Sequence, residues 1–353
     1  MRLEDGRRFT VIGENIHATR VVQRNGRRVG MGPDGRESLL FDGPDGSPRF
    51  MPIPDAIRET QDFAAGKVKH VQAALLTAMS DGPDAAAGVG YVAWMAERQM
   101  GAGADYLDVN VDELSTREED RRAAMAWVVR TIGEMSHAPI SLDSSSAATI
   151  RAGIAALVPG TERAMLNSAA LDRLDVLDVA AEAGCAVVIS AAGSADLPAD
   201  ADQRVANAMR MVEAATARGI PLSDMYIDVI VLPVAVSMDG QSGAHFLEAA
   251  TRLRSELGPR CRITGGLSNV SFGMPERKLV NDAFLDLAIA AGVDSGIIDP
   301  IATDPRRALA MDRESRGYRL AADVLTGADP FCMAYLTAYR AGELAAKPAG
   351  ADA

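Results

Sequence analysis

Short β-branched or apolar runs alternate along the chain with longer, Ala-rich segments whose apolar residues recur at helical spacing. The runs are FTVIGEN (9–15), DYLDVNV (105–111), PISLDSS (139–145), AMLNSA (164–169), AVVISAA (186–192), MYIDVIVL (225–232), ITGGLSN (263–269) and SGIIDP (295–300). Segments such as EEDRRAAMAWVVRTIGEM and ADQRVANAMRMVEAATARG lie between them and end near Gly or polar residues, as amphipathic helices do. Strand and helix in alternation predict a parallel sheet with crossover helices. Eight of each fit a closed (β/α)8 TIM barrel, which takes about 250 residues or more as one unit. The pattern therefore predicts a single barrel over 1–345, with 346–353 as a disordered tail.

Nearly every run ends in a polar residue: Glu14, Asn110, Asp143, Asn167, Ser190, Asp228, Asn269 and Asp299. In a parallel barrel all C-terminal strand ends open on one mouth, where active sites sit. Each residue taken singly also suits a turn or helix N-cap, but eight in succession favour convergence. Between the first two runs, residues 18–60 hold NG (25–26) and two copies of GPDG (32–35, 43–46), alternating with VVQR, RVGM, SLLF and RFMPI. This predicts one or two β-hairpins inserted after the first strand at the barrel mouth, a candidate lid. From Arg20 to Arg49 six arginines stand against four acids, a local excess that either attracts an anionic substrate tail or is a solvated hairpin surface.

Composition narrows the class. Lys and Arg number 36 against 48 Asp and Glu, a net charge of −12, which excludes a generic nucleic-acid binder. Hydrophobic residues at 48% and charged residues at 24% describe a globular chain able to bury a sizeable core. The start, MRLEDGRRFTVIGENIH, has no apolar signal region, and no stretch approaches about 20 uninterrupted apolar residues; a cytoplasmic protein with no membrane partner is expected. Cys185, Cys261 and Cys332 lie far apart with no CxxC and no clustered histidines, so they read as buried thiols and no metal site is predicted.

The most specific segment is GGLSNVSFGMPERKLVNDAFLDLAIAAGVDSGIIDP (265–300). Together with VIGENIH (11–17), ADYLDVNVDE (104–113), SLDSS (141–145), AMLNSA (164–169) and YIDVIVLPV (226–234), it resembles the methyltetrahydrofolate:corrinoid methyltransferases and the pterin-binding domain of cobalamin-dependent methionine synthases, relatives of dihydropteroate synthase. The resemblance runs in order from about residue 9 to 340, apart from the insertion. It implies a pterin-binding barrel that uses tetrahydrofolate and 5-methyltetrahydrofolate, with the 2-amino-pyrimidinone edge held by Asp143, Asn167 and Asp228. Two carboxylates accept from ring N–H groups while an amide supplies both donor and acceptor. The resemblance further implies that Asn110 lines the same floor, that Arg277 lies near it, and that Asn269 is catalytic, while the strand-end pattern adds Glu14 and Ser190 to the mouth. An amide beside the pterin 5-nitrogen stabilises the charge that develops there during methyl transfer.

The family often reads GERIN at the first strand, whereas this chain reads GENIH, placing Asn15 and His17 where Arg and Asn commonly stand. His17 is assigned to proton transfer, to a place below the corrinoid, or to a hydrogen bond with a nearby carbonyl; for Arg277 the plain alternative is a helix-surface salt bridge. No DxHxxG is present to ligate cobalt, so cobalamin is expected on a partner corrinoid protein, and the resemblance implies a homodimer. Two other readings compete: a dihydropteroate-synthase-like condensing enzyme, and a non-catalytic pterin-binding subunit.

Overall fold

A computed structural model describes residues 1–136 and 138–344; the tail expected over 346–353 lies outside the described residues. Each of the eight runs overlaps a strand: β1 (Thr10–His17), β2 (Tyr106–Asn110), β3 (Ile140–Asp143), β4 (Met165–Ala169), β5 (Ala186–Ser190), β6 (Met225–Asp228), β7 (Arg262–Thr264) and β8 (Ser295–Ile298). They form one eight-stranded sheet in the order β7-β6-β5-β4-β3-β2-β1-β8. The pairings β1–β2, β2–β3, β3–β4 and β6–β7 are parallel. The first and last strands of that order also meet, because Ile297 N–H donates to Gly265 O at 2.9 Å and Asp294 N–H to Ile263 O at 3.2 Å. The fold is a (β/α)8 barrel. Its strands are largely buried on both faces, as in β5, where all of AVVIS is buried, because a parallel barrel leaves neither face to water.

Two compact units make up the chain. In the first, Ile12–Ser168 with Asp175–Val187, the helix Glu118–Ser136 opens on Glu118, Glu119 and Asp120, acids that complement the helix dipole. It buries Ala124, Met125, Val128, Val129 and Ile132, one stripe at helical period. The helices His70–Ala78 and Ala85–Gly101 cross at Gly88, where a Cβ would stand 2.4 Å from Ala78 N; only glycine allows so close a crossing.

The insertion belongs to this unit. Val29–Met31, Glu37–Asp42 and Pro48–Pro52 form a three-stranded antiparallel sheet. Both GPDG turns fold alike: Gly32 N–H donates to Arg36 O and Gly43 N–H to Ser47 O, each at 2.8 Å, while Asp34 and Asp45 each accept the N–H two residues on, at 3.0 Å. The NG turn is different. Val21–Gln23 does not pair across it with Val29–Met31 but with Lys67–Lys69, so NG joins two sheets. The arginines are engaged locally: Arg20 with Glu14 and Arg24 with Glu37 at 2.7 Å, Arg36 with Asp34 and Asp84 at 2.6 Å, Arg49 with Asp45 at 3.7 Å. Arg28 donates to Tyr91 Oη and lies 4.8 Å above the Trp94 ring, and Phe41 packs on Tyr91 at 5.2 Å. Arg28 and Arg36 thus fasten the hairpins to the helix Ala85–Gly101 and its N-cap Asp84, while Arg24 and Arg49 pair with acids of the insertion itself.

The second unit is Met1–Val11, Ala169–Leu174 and Val188–Ala353. Its helix Arg277–Ala290 is anchored through two buried acids. Asp286 accepts from Arg313 at 2.7 Å and from Tyr318 Oη at 2.6 Å, and Asp282 accepts from Arg307 at 3.0 Å. Phe246 and Phe284 meet at 5.1 Å in its core.

Candidate functional site

In the first unit, strand register alone assembles a row of polar side chains. His17 pairs with Asn110, Asn110 with Asp143, and Asp143 with Asn167. Residues paired across a parallel ladder point to the same face, so four of the residues singled out from sequence stand at one level on four neighbouring strands. His17 Nε2 lies 3.8 Å from Asp143 Oδ2, and its Nδ1 takes Thr19 Oγ1 at 2.7 Å. Burial and the Arg20 charge hold the His17 ring below its ordinary pKa, against the pull of Glu113 and Asp112, so it is neutral at pH 7. Glu14 is not at a strand end: it sits inside β1, where the register slips between Gly13 and Ile16, and accepts from Arg20.

One residue that sequence reasoning passed over stands at the centre of this group. Asp108, two positions before Asn110 and therefore on the same face of β2, is 2% exposed and accepts from Asn167 Nδ2 at 3.1 Å. Burial pushes its carboxyl up to about 6, with the Glu14 charge adding to the rise and hydrogen bonds with Asn167 and Asp143 opposing it. The alternation within LDVN carried the signal. The serines of SLDSS brace the loop after β3: Ser144 Oγ and Ser145 N–H donate to the Asp112 carboxylate at 2.6 and 2.7 Å.

In the second unit, Ser190, Asp228 and Asp299 each accept the N–H two residues on, from Ala192 at 3.2 Å, Ile230 at 2.9 Å and Ile301 at 3.0 Å; Asn110 in the first unit does the same with Asp112 at 3.0 Å. The turn-closing alternative is thus real at these four positions. It occupies one oxygen, and a carboxylate has lone pairs left for a ligand. Asp228 is half-buried at the end of β6, and burial raises its pKa to about 6, opposed by the Ile230 N–H and the charge of Arg204. Arg204 is the second residue that sequence reading passed over; its signal was a charge on the apolar stripe of a helix.

Asn269 lies five residues past β7, in the short helical turn Leu267–Ser271, and not at the strand end. Its side chain fits because residue 266 is glycine: a Cβ there would come within 2.8 Å of Asn269 Nδ2. Arg277 makes no ion pair among the described residues. It donates to Ser271 Oγ at 3.0 Å and Ser268 O at 3.2 Å and stacks 4.5 Å over Phe272, bracing the turn that carries Asn269. The half-buried amide thus stands on a braced turn, with a donor and an acceptor to offer.

Comparison with known proteins follows the same lines. A family model described as pterin binding enzyme matches residues 90–299, more than half of the chain. The methylcorrinoid:tetrahydrofolate methyltransferase of Eubacterium limosum is 29% identical over 252 residues, which cover 70% of this chain and 86% of that protein. Among solved structures, the dihydropteroate synthase of Xanthomonas albilineans superposes with a TM-score of 0.52 at 18% identity, covering 86% of this chain and 92% of that one. A dihydropteroate synthetase carrying a product gives 0.50 at 18% identity, over 64% of this chain and 88% of the other. At such identities the structural likeness speaks for the fold.

Proposed function

This chain belongs to the pterin-binding enzyme family, and from that premise we propose that it is a folate-binding methyltransferase, moving a methyl group between the pterin 5-nitrogen of tetrahydrofolate and the corrinoid of a partner protein. The E. limosum relative, whose name states that reaction, supports it. The observation that carries it is Asn269, an amide given room by Gly266 on a turn that Arg277 braces. An amide can donate to the 5-nitrogen when it is neutral and accept from it when it is protonated, so one fixed group serves both directions of transfer. A mount set before reaction adds no reorganisation to the barrier.

Asp143, Asn167 and Asp228 hold the 2-amino-pyrimidinone edge in this reading. Asn167, whose Nδ2 already donates to Asp108, turns its carbonyl oxygen towards ring donors, and Asp108 fixes that choice. The residues present fit the pterin: acceptors outnumber donors, matching a ring edge rich in N–H. The corrinoid carried by the partner gives up or accepts the methyl group; this chain's residues bind the folate, orient its 5-nitrogen and steady the proton there.

The test is direct. Purified protein is mixed with methylcobalamin and tetrahydrofolate, and separately with cob(I)alamin and 5-methyltetrahydrofolate, while the corrinoid spectrum is followed. Turnover in either direction supports the reading. Folate binding without transfer would mark a binding subunit, and product from pterin pyrophosphate and p-aminobenzoate would mark a condensing enzyme.

A further inference from the structure

Arg204 lies on the apolar stripe of the helix Ala201–Thr216, in line with Ala208 and Met211, and is fully buried. Among the described residues its guanidinium contacts no carboxylate. It donates to main-chain carbonyls: Nη1 to Pro198 O at 3.2 Å and Asp200 O at 2.9 Å, and Nε to Ile230 O at 3.4 Å; Nη2 is buried and has no partner. A buried cation with an unmet amino group is a poor packing element, and an apolar side chain of similar length would fill the stripe at least as well. Packing does not account for the charge.

Its contacts do. Ile230 has φ of 62°, the left-handed region that a β-branched residue adopts only under constraint. The constraint is two-sided: Arg204 holds the Ile230 carbonyl, and the Ile230 N–H donates to Asp228 Oδ1 at 2.9 Å. We infer that Arg204 is a positioning residue that fixes the orientation and the ionised state of the Asp228 carboxylate through the Ile230 turn. The inference rests on the reading of Asp228 as a folate-binding residue. The groups acting on Asp228 are the Ile230 N–H and the Arg204 charge, and those acting on Arg204 are Asp228, Asp200 before its helix and Asp239 after β6. Arg204 is thus the cation that opposes desolvation of Asp228, whose carboxyl stands at about 6. A ring N–H needs the ionised form, so binding fades as pH falls through that value. Removing the cation raises the carboxyl pKa and moves the fade to higher pH.

The experiment compares wild type, R204M, R204K and D228A by calorimetric titration with tetrahydrofolate from pH 5 to 8, with circular dichroism confirming the fold. R204M is expected to bind about tenfold more weakly at pH 7 and to lose binding at a midpoint about one unit higher. R204K keeps the charge without the fork, so its midpoint returns towards wild type while part of the affinity loss stays. A role in stability alone would lower the melting temperature and leave the midpoint in place in both variants, which overturns the inference. If R204M does not fold, R204K decides: unchanged affinity overturns it. Wild-type binding by D228A would remove the folate reading of Asp228 and this inference together, whereas loss in D228A with an unmoved R204M midpoint removes the inference alone.

Discussion

In Asp108 of the first unit and Asp228 of the second, burial pushes each carboxyl up to about 6. Their neighbours are opposite. Asp108 has another carboxylate, Glu14, pressing its pKa further up and is relieved by hydrogen bonds with the Asn167 amide and the Asp143 carboxyl. Asp228 is relieved by the Ile230 N–H and a buried guanidinium. Equal pKa values thus come from unlike balances, and they suit unlike tasks. A carboxyl crowded by its own kind orients a neighbour, as Asp108 orients Asn167; one supported by a cation stays available as an acceptor for something that comes and goes.

Substitutions can break that contrast. The largest effect is expected outside both carboxyls, at Asn269: N269A should keep tetrahydrofolate affinity within several-fold but cut methyl transfer by about 10²-fold or more, since it removes a hydrogen bond made chiefly in the transition state. Single-turnover spectroscopy with cobalamin measures it, and near-wild-type turnover in a folded variant would sink the assignment. Next come D143A and D228A, each expected to weaken folate binding by roughly 1–3 kcal/mol through ring donors left without an acceptor; calorimetry showing unchanged affinity for both would reduce them to turn and cap residues.

D108N sharpens the comparison from the other side. The Asp108 pKa is raised above its unfolded value, so ionising it in the folded protein costs stability. That penalty is absent below about pH 4, grows from there to about 6, and is complete above it. Removing the charge should therefore stabilise by on the order of 2 kcal/mol at pH 7.5 and by little at pH 4. Thermal melts at the two pH values check it, and an equal change at both would point to packing. The smallest effect is expected for G266A, whose Cβ would press on the Asn269 amide. Transfer should fall about tenfold with folate binding retained, and an unaffected rate would show that the amide has room to spare.

How much of this was legible in the sequence depended on whether its cause was local. Strands announce themselves by short apolar runs, and all eight were readable. Both GPDG turns were equally plain, because Asp and Gly at fixed positions close the loop by themselves. The NG turn was less informative: the strand before it pairs with Lys67–Lys69, more than 40 residues on, and a turn signal does not say which strand comes next. The strand-end polar residues were legible as a set, but their levels were not. Glu14 is displaced by an irregularity in β1, and Asn269 stands beyond β7 in a turn of its own. Arg204 and the Arg28–Tyr91–Trp94 stack were illegible for the same reason. What makes each of them meaningful is a neighbour far away in the chain.

The row His17, Asn110, Asp143 and Asn167 also bears on how this protein tolerates insertions and deletions. Side chains on a strand face one way or the other with nothing between, so losing or gaining a single residue within β2, β3 or β4 would not shift a member of the row slightly but turn it to the opposite face. Such a position responds to length changes as a switch, whereas the loops that follow can be lengthened by degrees. Engineering that seeks a different substrate should therefore redraw the connections and leave the strand lengths untouched.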